Sequence, residues 1–188
     1  MNEQAPLPYG VAARAEARCV LRTVALLAQR RIHQPSQHVG LCLRFADGTA
    51  ARVYRETVVD AGVAQDPCLL LVAFRLRLVR GRGHTLFRWE SELNTPLFVG
   101  YPGFASKLWL AHDQRGVYRG LYEWDGAERA ESYARCLWRV LALSCVPSSI
   151  HYRVVPGLRR DEVLAAPELL AEAAPEDEET WWRLAAVA

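Results

Sequence analysis

The residues best suited to chemistry lie on two aromatic segments near the middle of the chain. Side chains of a strand alternate between its two faces, so one face of residues 117–124 carries Tyr118, Gly120, Tyr122 and Trp124. Gly120 leaves a gap between the two tyrosines in which a flat ligand could lie. On the preceding predicted strand, Lys107 and Trp109 share a face. This pattern indicates an aromatic pocket that contains an amine.

Other titratable residues supply a candidate base and further contacts. His151 and Arg153 share one face of the last predicted strand, residues 150–155. His84 and Trp89 lie in a short predicted helix, residues 84–93. Histidine titrates near neutral pH and therefore suits proton transfer. Lys107 is the only lysine of the chain, which makes its place in the aromatic segment conspicuous.

Together these residues suit the removal of a proton from a polycyclic phenol or an enol. Aromatic walls would stack on the substrate, a base would take its proton, and cationic or hydroxyl donors would hold the oxyanion. The predicted catalytic residues are His151, Lys107 and Tyr122, with His84 as an alternative base. The predicted substrate-binding residues are Trp109, Tyr118, Trp124, Arg153, Trp89 and His84.

Each of these residues also has a purely structural interpretation. An aromatic stripe on a strand is typical of core packing, and a single strand histidine is typical of a structural hydrogen bond. A lysine on a strand is typical of an exposed face.

Known cofactor and metal motifs are missing from the sequence. It has no P-loop, no G-x-S-x-G serine, no H-E-x-x-H and no dinucleotide fingerprint. The five cysteines are widely spaced and form no C-x-x-C pair, which argues against a zinc site and a disulfide framework. We therefore predict no cofactor and no metal.

Composition excludes several classes of protein. A net charge of +2 gives little attraction to nucleic acid or acidic lipid, and no apolar run is long enough to span a bilayer. With 51% apolar and 23% charged residues, the chain can bury a core. Unpaired buried thiols predict a cytoplasmic protein. The preference for arginine over lysine predicts a GC-rich, actinobacterial source.

The chain is predicted to have three parts. Residues 1–65 form a helix and a β-hairpin that turns at Asp47-Gly48. Residues 66–160, with a core at about 66–156, form the main α+β domain. Residues 161–188 form an acidic tail that is predicted to be helical, and its Trp181-Trp182 pair must be covered by another surface.

The segment from Pro102 to Tyr133 resembles a known family. Its motifs are Pro102-Gly103-Phe104-x-x-Lys107-x-Trp109, Gly120-Leu121-Tyr122-x-Trp124 and Ala130-x-x-Tyr133. They resemble the YdhR-type monooxygenases of the antibiotic-biosynthesis-monooxygenase group, over roughly residues 69–156. The resemblance implies a ferredoxin-like βαββαβ fold, a homodimer whose sheets face one another to form an α+β barrel, and oxidation of a small molecule without metal or flavin.

The predicted function is a cofactor-independent monooxygenase of small-molecule biosynthesis that acts on an aromatic or polyketide-like substrate. The same pocket would also serve a secondary-metabolite cyclase or isomerase that only enolises its substrate. A third hypothesis is a non-catalytic ligand-binding or accessory dimer, which the Trp181-Trp182 pair would allow to dock on a partner. The fold alone does not decide among them.

Overall fold

The computed structural model describes residues 6–60, 62–77, 95–174 and 179–188. The helices are α1 (Tyr9–Ala28), α2 (Ala127–Ser144), α3 (Arg160–Ala165) and α4 (Glu168–Ala173). The first four strands are β1 (Ile32–His33), β2 (Cys42–Phe45), β3 (Ala50–Val59) and β4 (Pro67–Arg75). The remaining strands are β5 (Phe104–Leu110), β6 (Val117–Asp125), β7 (His151–Pro156) and β8 (Leu184–Val187).

All of these strands join one antiparallel sheet in the order β7-β4-β6-β5-β3-β2-β8, and β1 also pairs with β3. The four described strands of the main domain, β4 to β7, are therefore arranged as β7-β4-β6-β5, with α2 joining β6 to β7. This is the strand order of a ferredoxin-like unit. The predicted α+β, ferredoxin-like class is confirmed. The predicted helix at residues 84–93 lies outside the described residues.

The N-terminal hairpin extends the same sheet. Gly48 has a φ of 80°, which few residues other than glycine adopt, and Asp47 Oδ1 accepts a hydrogen bond of 2.9 Å from the Thr49 amide. These two residues turn the chain from β2 into β3. Strand β3 then pairs with β5, so the hairpin continues the sheet at that edge.

Helices α1 and α2 cover one face of the sheet, which we call the helix face. Its buried cluster includes Cys19 and Leu26 of α1, Tyr133 and Ala134 of α2, and Trp109 of β5. A short 3-10 turn, Thr95–Leu97, and the residues after it also pack on this face. Among the described residues, no helix is long and apolar enough to cross a membrane.

The chain's own C-terminal segment covers the opposite face, which we call the tail face. Its buried cluster combines Leu108 and Leu121 of the sheet with Val163, Leu170 and Trp182 of the tail. The predicted helical tail contains the two short helices α3 and α4, but it ends in a strand, because β8 pairs with β2. A second sheet could pack here, as in the expected face-to-face homodimer, only if this segment moved away.

The segment after the 3-10 turn is held against α1 by close backbone contacts. Cys19 Sγ and Thr23 Oγ1 both donate to the Pro96 carbonyl, at 3.1 and 3.4 Å. A Cβ at Gly100 would lie 1.9 Å from the Cys19 carbonyl oxygen, so only glycine allows this approach. The contacts at Pro96 and Gly100 fix the position of Phe98, which lies between these two residues in the chain.

Candidate functional site

The helix face contains a cavity of about 140 Å³ between the sheet, α2 and the segment after Thr95. Aromatic side chains form much of its wall. Among the described residues, the lining rings are Tyr54, Phe74, Phe98, Trp109, Tyr118, Tyr122 and Tyr133. Aliphatic side chains of α2, among them Leu137 and Leu141, close one side. Lys107 is the only amine in this wall.

The Lys107 amine lies in a cage of aromatic rings. Its Nζ atom is 3.1 Å from the ring centroid of Trp109, 4.5 Å from that of Phe98 and 4.6 Å from that of Tyr122. Lys107 is only 6% exposed. Among the residues that the structure describes, none accepts a hydrogen bond from Nζ or forms an ion pair with it. A buried lysine without a carboxylate partner is rare in a core.

A second cation contacts the same aromatic ring. The Arg55 Cζ atom lies 4.2 Å from the Trp109 centroid, and its Nη2 donates to Thr95 Oγ1 at 2.7 Å. A β-bulge between Val53 and Arg55 turns this side chain to the helix face. Burial, and next the nearby Arg55 charge, hold the pKa of Lys107 well below its usual range. The ring faces favour the ammonium form and offset part of this lowering.

Hydrogen bonds hold two rings of the cage in place. The Trp109 indole donates to Thr57 Oγ1 at 3.1 Å. The Tyr133 hydroxyl donates to that of Tyr122, whose own proton can then be donated to a bound oxygen. Burial raises the pKa of both tyrosines, so they act as neutral donors rather than as bases.

Gly120 has a different role from the predicted one. A Cβ at this position would lie 2.7 Å from Cε2 of Tyr122. The space above the glycine is therefore filled by the Tyr122 ring itself, and the predicted ligand gap is not there. The glycine still matters, because a side chain at this position would collide with the Tyr122 ring, which lies over it.

The structure brings four of the predicted site residues together: Lys107, Trp109, Tyr118 and Tyr122 line the cavity. Trp124 does not join them. It is fully buried in the core, with its ring 4.9 Å from that of Tyr133 and 5.6 Å from that of Phe104. The structural interpretation of the aromatic stripe therefore holds for Trp124. His84 and Trp89 lie outside the described residues.

His151 and Arg153 lie on the tail face, across the sheet from Lys107. Strand β4 shows why: Leu70 pairs with Tyr122 and Val154, whereas Leu71 pairs with Leu121 and Arg153. Directly paired residues share a face, so Arg153 shares the face of Leu121 and not that of Tyr122. His151 is exposed, with its ring 5.8 Å from that of Trp181. The predicted grouping of His151 with Lys107 and Tyr122 is wrong.

The sequence pattern missed several residues of the cavity. Phe98 and Arg55 were not singled out, because a loop residue and a residue after a bulge have no regular periodicity. Tyr133 was part of the family resemblance but had no predicted role, although its place on the apolar stripe of α2 was a usable signal. Tyr54 likewise stands at the bulge of β3.

Burial deactivates four of the five cysteine thiols. Burial raises the pKa of Cys19 and Cys68 to about 12 and that of Cys136 and Cys145 to about 11, so these thiols are poor nucleophiles. All five cysteines are free. Within the described ranges, no cluster of three histidine, cysteine or acidic residues could hold a metal ion.

Comparison with known proteins yields little beyond the fold. No family model matches the chain, and no curated protein matches it. One similar solved structure is a Listeria monocytogenes protein described as an uncharacterized ferredoxin fold protein related to antibiotic biosynthesis monooxygenases. The identity is 12%, over 66% of this chain and 90% of that chain, with a TM-score of 0.40. At that similarity the fold assignment depends on the strand order itself.

Proposed function

We propose that the chain is an enzyme that removes a proton from a small aromatic or enolisable substrate, with Lys107 as the base. The observation that carries this proposal is the amine in the aromatic cage, which lines a cavity and has no acidic partner among the described residues. A lysine that is buried in this way has an increased fraction of neutral amine near neutral pH, and a neutral amine accepts protons.

The resulting anion would be stabilised where it forms. Proton transfer leaves an ammonium at Lys107 beside the new oxyanion or carbanion, and Arg55 adds a second positive charge at the same Trp109 ring. The Tyr122 hydroxyl is a further donor at the cavity wall. Phe98 and Trp109 supply ring faces and edges for an aromatic substrate.

The leading reaction is cofactor-independent monooxygenation, as the family resemblance implies. An electron-rich carbanion at an activated CH2 group reacts with dioxygen, and the group becomes a carbonyl while water is released. The balance is one O2 consumed for each CH2 converted to C=O and each H2O formed. A cyclase or isomerase would share the first proton transfer and would consume no oxygen.

The size of the cavity limits the substrate. A closed apolar cavity of about 150 Å³ in another protein holds one benzene molecule. The cavity of about 140 Å³ found here therefore suits a one-ring group, and a polyketide-like substrate would have to extend beyond it.

The third hypothesis, an accessory dimer, depended on a Trp181-Trp182 pair that could dock on a partner. Trp182 is instead fully buried within the chain, so this pair no longer supports that hypothesis.

Two readouts on one probe test the proposal. The probe is 2-indanone, whose CH2 groups are acidic and whose aromatic part is a single ring. In D2O under nitrogen, we expect the protein to accelerate deuterium exchange at those CH2 groups. In air, chelator-treated protein should consume one O2 for each 1,2-indandione formed.

Each outcome of this experiment has a defined meaning. Exchange with oxygen uptake supports a monooxygenase, and exchange without uptake supports a cyclase or isomerase. Exchange no faster than in buffer that contains serum albumin would reject Lys107 as a carbon-acid base for substrates of this size.

A further inference from the structure

We propose that Lys107 is also a nucleophile that forms an imine with the carbonyl group of a one-ring aromatic aldehyde or ketone. The proposal rests on the proposed function, since it uses the same cavity, and it goes further by naming the substrate class. It assigns to the site a covalent step that proton transfer alone does not require.

The surroundings of the amine favour this chemistry. Amines that form imines in proteins are deprotonated by an apolar pocket or by a neighbouring cation. Lys107 has both, because aromatic rings surround Nζ and Arg55 contacts the same Trp109 ring. A carboxylate beside Nζ would keep the amine protonated, and no described residue supplies one.

The cavity also suits the rest of such a substrate. Phe98, Trp109 and Tyr122 present rings around Nζ, so an aryl aldehyde that stacks on them would bring its carbonyl carbon to the amine. The Tyr122 hydroxyl, which stays neutral, can donate a hydrogen bond to the carbonyl oxygen as the carbon–nitrogen bond forms. The reaction therefore has a nucleophile, a hydrogen-bond donor and a binding surface within one cavity.

The covalent step balances without any added reagent. The Nζ lone pair attacks the carbonyl carbon, and the C=O π electrons move to oxygen to give a carbinolamine. Nitrogen then loses its two protons to the departing oxygen. One C=O bond is replaced by one C=N bond, and one water molecule leaves.

The chain allows an unusually clean test, because Lys107 is its only lysine. Full-length protein would be incubated with 4-hydroxybenzaldehyde and sodium cyanoborohydride at pH 7, and the reduced adduct would be located by peptide mass spectrometry. The other primary amine is the N-terminal α-amino group, and peptide mass spectrometry distinguishes an adduct there from one at Lys107. Nα-acetyl-lysine serves as the reference amine, and Lys107→Met is the matched variant.

We expect saturable labelling at Lys107, at least about tenfold faster than that of Nα-acetyl-lysine, since each unit of lowered pKa raises the neutral fraction about tenfold. 4-Methylphenol, which has no carbonyl, should slow the labelling by occupying the cavity. In Lys107→Met, labelling should remain only at the N-terminus.

The outcomes separate this inference from the proposed function. Labelling at Lys107 no faster than that of the reference amine, or labelling only at the N-terminus, would overturn the imine. If 2-indanone still exchanged deuterium in that case, Lys107 would act as a base alone. Rapid labelling at Lys107 without any deuterium exchange would support the imine and count against the proposed proton transfer.

Discussion

Lys107→Met is expected to slow deuterium exchange of 2-indanone by about 100-fold or more. Methionine keeps much of the side-chain length and fills the aromatic cage, but it has no basic nitrogen. A positioned base contributes on the order of 10²–10⁴ in rate. The measurement is the initial exchange rate by NMR at fixed pH, with correct folding checked by circular dichroism.

His151→Asn is the matched control for this variant. His151 was predicted as a catalytic residue together with Lys107, but it lies on the tail face and is exposed. We expect its replacement to leave the exchange rate within about twofold of the unmodified protein, because surface substitutions rarely disturb a distant site. A loss in His151→Asn with retention in Lys107→Met would mean that the reaction takes place on the tail face.

Trp182→Ala should lower the free energy of unfolding by about 3–5 kcal/mol, the usual cost of truncating a buried tryptophan. Trp182 is fully buried in the tail-face cluster, where the Cζ atoms of Arg153 and Arg183 each lie 5.3 Å from its ring. For a chain of this size we expect Tm to fall by about 6 °C or more. Urea unfolding followed by circular dichroism gives the free-energy difference.

Its neighbour Trp181 supplies the comparison. Trp181 is half-buried, and its indole donates to Glu179 Oε2 at 2.9 Å. Because less apolar area is removed from water, Trp181→Ala should cost roughly half as much or less. Equally small effects of the two substitutions, each below about 1 kcal/mol, would show that the tail does not cover the sheet. The tail face would then be open to a partner sheet, as the expected face-to-face homodimer requires.

Much of the fold could be predicted from local chemistry. Asp47-Gly48 indicated the hairpin, and apolar residues at three- and four-residue spacing indicated α1 and α2. The strand at Leu184–Val187 had no such signal, because a short apolar run of small residues after acidic helices resembles a helix end. Its pairing with β2 depends on contacts between residues far apart in the chain.

The site was only partly predictable for a similar reason. Alternation correctly grouped Tyr118 with Tyr122, and Lys107 with Trp109, within their strands. Alternation could not show which residues of β7 lie on the same side of the sheet as Tyr122 of β6. That depends on how both strands pair with β4, which lies between them. His151 was therefore grouped with Lys107 and Tyr122, which lie on the other face of the sheet. The bulge that turns Arg55 to Trp109 is likewise invisible in a periodic pattern.

The state of the Lys107 amine tests the central claim most directly. Protein that contains ¹³Cε-labelled lysine should give a single lysine resonance, because the chain has one lysine. We predict that this resonance titrates with a midpoint well below the usual value near 10.4, and that 4-methylphenol shifts it saturably. A midpoint at the usual value, with no shift on addition of 4-methylphenol, would contradict a ligand-binding cavity built around a deprotonated lysine.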